Sequence, residues 1–331
     1  MRIPYTVDSR WLMLLLFSIL SVYIVYKQAT DSNAVDLETQ LVRHERMLAG
    51  DSEFFNPWQY RVFSTYLVEG FYQAIHFVVP KVDQIYSFLF FRFLQNILIF
   101  YIAYLYYKSL EIKNPLLILT GVCILSYSMA HSVFQSDLSF NTYFGILFYL
   151  LGAWLIIREK YTWIIPLMFV AALNRETSLL IPAMLVVPFI QWKKRTVSGK
   201  VLTVGIASVV AFFVAFIGVR LYYGYQPSEG IHGMKGFADY LLFNIRFKRM
   251  YPELIGTLGF LPIIVLLFLR RLPLLLQQWF WIVCPVWFGI HLSYSTAVET
   301  RLFLVPQALI FIPAFLYLIE DWYRKQLVTQ D

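Results

Sequence analysis

Charge is scarce in this chain. Only 14% of its 331 residues are Asp, Glu, Lys or Arg, against about 25% in soluble globular proteins. A soluble fold of this size covers its surface with polar groups, and 27 basic and 20 acidic residues are too few for that. Cysteine is scarcer still. Cys123 and Cys284 both lie inside apolar runs, so free thiols are expected rather than a disulfide framework or a cysteine metal site. No GxGxxG and no Walker motif occurs, so the phosphate-cradling loops of nucleotide-binding proteins are missing. No RNA- or DNA-binding motif occurs either, and no nucleic acid partner is expected. The low charge and high hydropathy also exclude a disordered chain.

What is abundant is apolar surface. Hydrophobic residues make up 59% of the chain and aromatics 19%, with a mean hydropathy of +0.63. The 30 Phe, 23 Tyr and 9 Trp suit long water–lipid interfaces. A β-barrel would show alternating segments of about ten residues; this chain shows continuous apolar runs. The expected fold is all-α, a polytopic transmembrane helical bundle forming one integral membrane domain over 1–331. Runs near 11–27, 85–107, 115–131, 142–157, 201–222, 253–269, 274–292 and 302–319 approach the length needed to cross a bilayer. The stretch 161–192 is interrupted by Asn174, Arg175 and Glu176 and reads as two short spans meeting at one face. About ten crossings are expected, the first, Trp11 to Tyr26, being a retained signal anchor.

The net charge of +7 is read through the positive-inside rule. Arg2 and Arg10, Lys108 and Lys113, Arg158 and Lys160, Lys193 to Arg195, Arg270 and Arg271, and Arg324 and Lys325 fall on one side if 58–80 does not cross. That segment carries Arg61, Glu69 and His76 and fits an interfacial or re-entrant helix. Both termini are then cytoplasmic. The loops 28–84, 131–141, 223–252 and 293–300, with the junction at 174–177, face outward. If 58–80 crosses, the intervening loops invert.

The first outer loop is expected to hold two amphipathic helices. One runs from about Asp36 to Ala49, with Leu37, Leu41 and Leu48 on one face and Gly50 as its stop. The second starts near Trp58, after a turn at Asp51 and Asn56-Pro57. The outer loops also hold most of the polar chemistry. A carboxylate beside fixed cations at a lipid boundary can deprotonate an acceptor while the cations hold a phosphate leaving group.

Here the chain resembles a known family. The segment DLETQLVRHERMLAGDSEFFNP is similar to the first loop of aminoarabinose and protein mannosyl transferases of the GT-C glycosyltransferase superfamily, with Met47, Leu48, Gly50, Asp51 and Pro57 in place. WQYRVFSTYL (58–67) and NRETSLLIP (174–182) resemble segments of small bacterial GT-C-like proteins. One feature differs: Val35-Asp36 stands where the family has an adjacent acidic pair. The resemblance implies an enzyme that moves a sugar from a polyprenyl-phosphate donor to a glycan, lipid or protein acceptor, with inversion. It implies a bacterial inner membrane and a site facing the exterior. It also implies a first-loop acid as general base, and Asp36 is that candidate.

Each candidate also has a structural reading. Asp36 is a favoured helix N-cap, and Asp31 is a solvated loop acid. Glu38 is either a helper of the base or a partner of Arg43. His44 is either catalytic or a polar residue on an exposed face. Arg61 either snorkels or contacts phosphate. Arg175 and Glu176 either pair with each other or serve the carrier phosphate. Arg246, Lys248 and Arg249 are interfacial cations or phosphate ligands, and Arg301 is a partner of Glu299 or a substrate contact. A divalent metal fits no spaced ligand cluster, and Asp137 with His232 would be the nearest approach to one. Two rival functions remain: an envelope oligosaccharide polymerase or ligase, and a lipid-linked-sugar transporter or flippase. A transporter would line a path through the membrane middle; the enzyme would gather its polar groups at the outer interface.

Overall fold

The computed structural model describes residues 9–50, 58–190, 198–224, 234 and 236–328. Arg2, Asp51, Asn56, Pro57, Lys193, Lys194, Arg195, His232 and Lys235 lie outside the described residues. Those described are mostly helical, with no strand among them. Among the described residues six helices are long and apolar enough to cross a membrane: α1 (Ser9–Thr30), α4 (Gln84–Ser109), α6 (Phe140–Ile157), α9 (Gly199–Tyr223), α13 (Leu274–Tyr294) and a last stretch, Thr300–Gln326. A bent pair, α11 (Met250–Leu258) and α12 (Leu261–Leu267), makes a seventh if read as one span. Gly259, at φ +61°, breaks that pair, and its halves meet at 69°. The apolar helix α5 (Pro115–His131) has 17 residues. The stretch 161–189 forms two shorter pieces around α7 (Ile164–Ala172) and α8 (Leu180–Val186). The count of ten crossings rests on these shorter pieces.

Local sequence explains the helix ends. In α2 (Leu37–Ala49), Asp36 accepts from the Thr39 amide at 2.6 Å, and Gly50 closes the helix at φ +66°. Only glycine adopts that left-handed conformation without strain. Trp58–Tyr60 forms one 3₁₀ turn before α3 (Val62–Val78). Asp83 caps α4 through the Ile85 amide, and Asn114 caps α5 ahead of Pro115.

Helix α6 sits at the centre, buried on nearly all faces. Its neighbours include α4, α7 and the last stretch. At Gly205, α9 lies so close to Val186 that a Cβ would overlap its side chain. The last stretch contains α14 (Leu304–Pro306), a π-helical turn at Gln307–Phe311 and α15 (Ile312–Val328). A π turn loosens the regular α ladder. Here Tyr106 and Tyr107 of α4 donate their hydroxyls to the carbonyls of Leu309 and Ala308, at 2.7 and 2.9 Å.

The polar segments meet at one end of the bundle. The Val35 amide donates to the Ser136 carbonyl and the Gln135 amide to the Asn33 carbonyl, both at about 3 Å. The buried Gln28 amide donates to the carbonyls of Ser136 and Asp137. The Phe63 amide donates to the Leu173 carbonyl, and the Tyr60 hydroxyl to the Gly224 carbonyl. These bonds join the ends of α1, α3, α6, α7 and α9.

Candidate functional site

The centre of this end is Arg175. It lies in the break after α7, outside the candidate spans, and is 7% exposed. Its Nη1 donates to Thr142 Oγ1 at 3.3 Å, and its Nε has no acceptor. Burial pushes its pKa down to about 9; the positive charges of Arg61 and Arg301 add to that, while Glu176 and Glu299 oppose it. The break positions this side chain: Arg175 is extended, at φ −157° and ψ 142°, before a 3₁₀ turn at Glu176–Leu179.

Around it the charges are uneven. Glu176 does not pair with its neighbour Arg175. It takes Arg61 Nη2 at 3.2 Å on one oxygen and Arg220 Nη2 at 3.4 Å on the other. Burial raises its pKa, the arginines outweigh burial, and the net direction is downward. Arg220 also stacks on Phe216 and Tyr60, at 3.4 and 4.4 Å. Arg301 pairs with Glu299 at 2.5 Å and donates to the Gln135 carbonyl. With Arg43 and Asp137, which pair at one side, five guanidiniums thus face three carboxylates. The Nε atoms of Arg61, Arg175 and Arg301 are all buried without an acceptor. Buried donors rarely go unpaired, and an excess of partly buried cations around one buried guanidinium favours an anion. Planar guanidinium forks suit phosphate oxygens.

Asp137 closes one side of the cluster. Ser139 donates to Oδ1 through both its amide and its hydroxyl, and Arg43 Nη1 reaches Oδ2 at 3.2 Å. Burial raises its pKa; Arg301, Ser139 and Arg43 together bring it below the ordinary value. The carboxylate is therefore ionised at neutral pH, with part of its lone-pair capacity free.

The other expected residues fall elsewhere. Asp36 is exposed, and its carboxylate is occupied by the Thr39 amide and hydroxyl, which lower its pKa. Among the described residues no arginine is bonded to it. Glu38 is exposed, and Arg43, its expected partner, turns to Asp137 instead. His44 is buried rather than exposed; it faces α3 and α4, with Nε2 at 2.9 Å from Glu69 and its ring edge on Phe88. Arg249 binds Glu253 and Asn33 and covers the Phe134 ring. Arg246 and Lys248 are exposed. Cys123 and Cys284 are free thiols. Among the described residues no group of three His, Cys, Asp or Glu is placed to hold a metal ion.

Sequence reasoning left Arg220 out of the site. Its signal was available: a charge near the end of an apolar run needs a partner or an interface. Asp137 was seen but had no motif to anchor it, because its neighbours come from α2 and from residue 301, far off in sequence. No family model, curated protein or solved structure matches the chain.

Proposed function

We propose that this chain is a membrane glycosyltransferase of GT-C type, transferring a sugar from a polyprenyl-phosphate carrier to an acceptor at the outer face of the bilayer. The observation that carries the reading is the cluster of partly buried arginines around the buried Arg175, with three buried guanidinium Nε atoms lacking acceptors. A lipid phosphate would supply those acceptors from the side of the membrane. In this reading Arg61, Arg175 and Arg301 grip the phosphate, and Arg220 and Glu176 hold Arg61 in place.

The acceptor oxygen attacks the anomeric carbon and forms the new glycosidic bond. The bond from that carbon to the phosphate oxygen breaks, and the phosphate leaves with the electron pair, stabilised by the arginines. The acceptor's proton goes to a carboxylate. Asp137 takes that role here, because it lies among the arginines while Asp36 caps a helix in solvent. The gathering of ion-paired groups at one end of the bundle favours an enzyme over a transporter, which would line a path through the middle.

The finer topology belongs to the same reading. It has about ten crossings, both termini in the cytoplasm, and a bacterial inner membrane with the cluster facing outward. A transfer assay tests it, using radiolabelled polyprenyl-phosphate sugars and membranes carrying wild type, Arg175→Gln, Asp137→Asn or Asp36→Asn. Transfer by wild type and Asp36→Asn, and loss in the other two, is expected. Inactivity of wild type with every such donor would remove the class; full activity of Arg175→Gln would remove the site.

A further inference from the structure

We propose that Arg92, buried where α4 packs on α6, holds a small monovalent anion of halide size, at a site separate from the cation cluster around Arg175. Arg92 is 0% exposed. Its Cζ lies 3.0 Å from the centroid of the Tyr143 ring, and its Nη1 donates to Gln95 Oε1 at 2.8 Å. Gln95 is itself held by the Phe140 carbonyl at 3.0 Å. No carboxylate pairs with Arg92 among the described residues, and its Nε and Nη2 have no acceptor. One turn further along α4, Asn96 is also 0% exposed, with both side-chain polar atoms unpaired. The Tyr143 hydroxyl is buried beside this guanidinium, with no other partner among the described residues to accept its proton.

Arg92 lies eight residues into α4, about 12 Å below its first turn at 1.5 Å per residue. A long side chain near a helix end can snorkel to water, but complete burial shows that this one does not. An uncompensated buried cation is costly, and the face of one aromatic ring offsets only part of that cost. The unpaired groups are mostly donors: two guanidinium nitrogens, an amide nitrogen and a phenol. Water would accept from some of them but would leave the charge. An anion does both. It must be small, since this part of the interface is otherwise built from rings such as Phe88, Phe91 and Phe140, in mutual contact at 5.5–5.9 Å. One guanidinium calls for one negative charge.

The test uses the purified full chain in detergent. Its thermal midpoint is followed as chloride or bromide replaces gluconate at constant ionic strength. A saturable rise is expected in wild type, and the same rise in Arg175→Gln, which separates this site from the outer cluster. Arg92→Gln is expected to lose the saturable response. Tyr143→Phe keeps the ring under the guanidinium and removes one hydroxyl donor, so half-saturation should move up about fivefold, the loss of one hydrogen bond. That variant decides the matter if Arg92→Gln does not fold. No halide response in wild type, loss of the response in Arg175→Gln, or an unchanged half-saturation in Tyr143→Phe would overturn the site.

Discussion

Replacing Asp137 by Asn removes one charge and little volume. Asn keeps an oxygen for the Ser139 amide, which lies 2.9 Å from Oδ1, but it no longer balances Arg43 or Arg301. Two limits frame the cost. Breaking a fully buried pair costs about 3–5 kcal/mol, and exposed pairs contribute about 0–1 kcal/mol. The Asp137 side chain is 20% exposed and that of Arg43 is 42% exposed, so solvent relieves much of the loss, and about 1–2 kcal/mol is expected. That lowers the thermal midpoint by on the order of 1–3 °C in a chain of this length. A cycle with Arg43→Gln should give a coupling of about 0.5–1 kcal/mol.

Acid pH provides a second measure. The native pKa of Asp137 lies below its unfolded value, despite burial, because of Arg301, Ser139 and Arg43. Its contribution is therefore complete above the ordinary carboxylate range and disappears as pH falls through the native value. Wild type should lose stability over that acid window more steeply than Asp137→Asn. Calorimetry of the detergent-solubilised protein from pH 7 downward measures this. Additive mutants with parallel pH profiles would refute the account of the carboxylate as a charge partner.

Glu176→Gln frees Arg61 from the carboxylate that holds it in place, so binding of an inorganic phosphate or diphosphate probe should weaken as the protein loses stability; calorimetric titration and thermal unfolding read the two. Tyr106→Phe and Tyr107→Phe each remove a donor to the π turn and should cost about 1 kcal/mol apiece, read as midpoint shifts in a thermal melt. Gly205→Leu forces α9 away from Val186 and should cost about 1–3 kcal/mol by overpacking, with protease accessibility of α9 rising in parallel.

The helical class was legible because apolar runs near membrane length have no other use. The first-loop helix was legible almost to the residue, since both of its signals are local: Asp36 starts it and Gly50 stops it. Whether Asp36 does more than cap the helix was not, since a cap and a catalytic acid use the same residue type. The pairing of Glu176 with Arg61 and Arg220 depends on α3, α7 and α9 meeting, which no spacing encodes. Arg61, Arg175 and Arg301 were readable singly as costly charges; their convergence was a tertiary fact. Arg92 sat in an apolar run and passed as part of a span.

The π turn at Gln307–Phe311 splits the final stretch into two rotational phases. The wider turn offsets the wheel of residues before it from the wheel after it, so Arg301 and the far end of α15 cannot be aligned by a single helical repeat. Removing one residue there would shorten the rod only slightly. Its main effect would be to swivel the segment carrying Glu299 and Arg301 relative to Tyr106 and Tyr107, turning that ion pair away from Arg175.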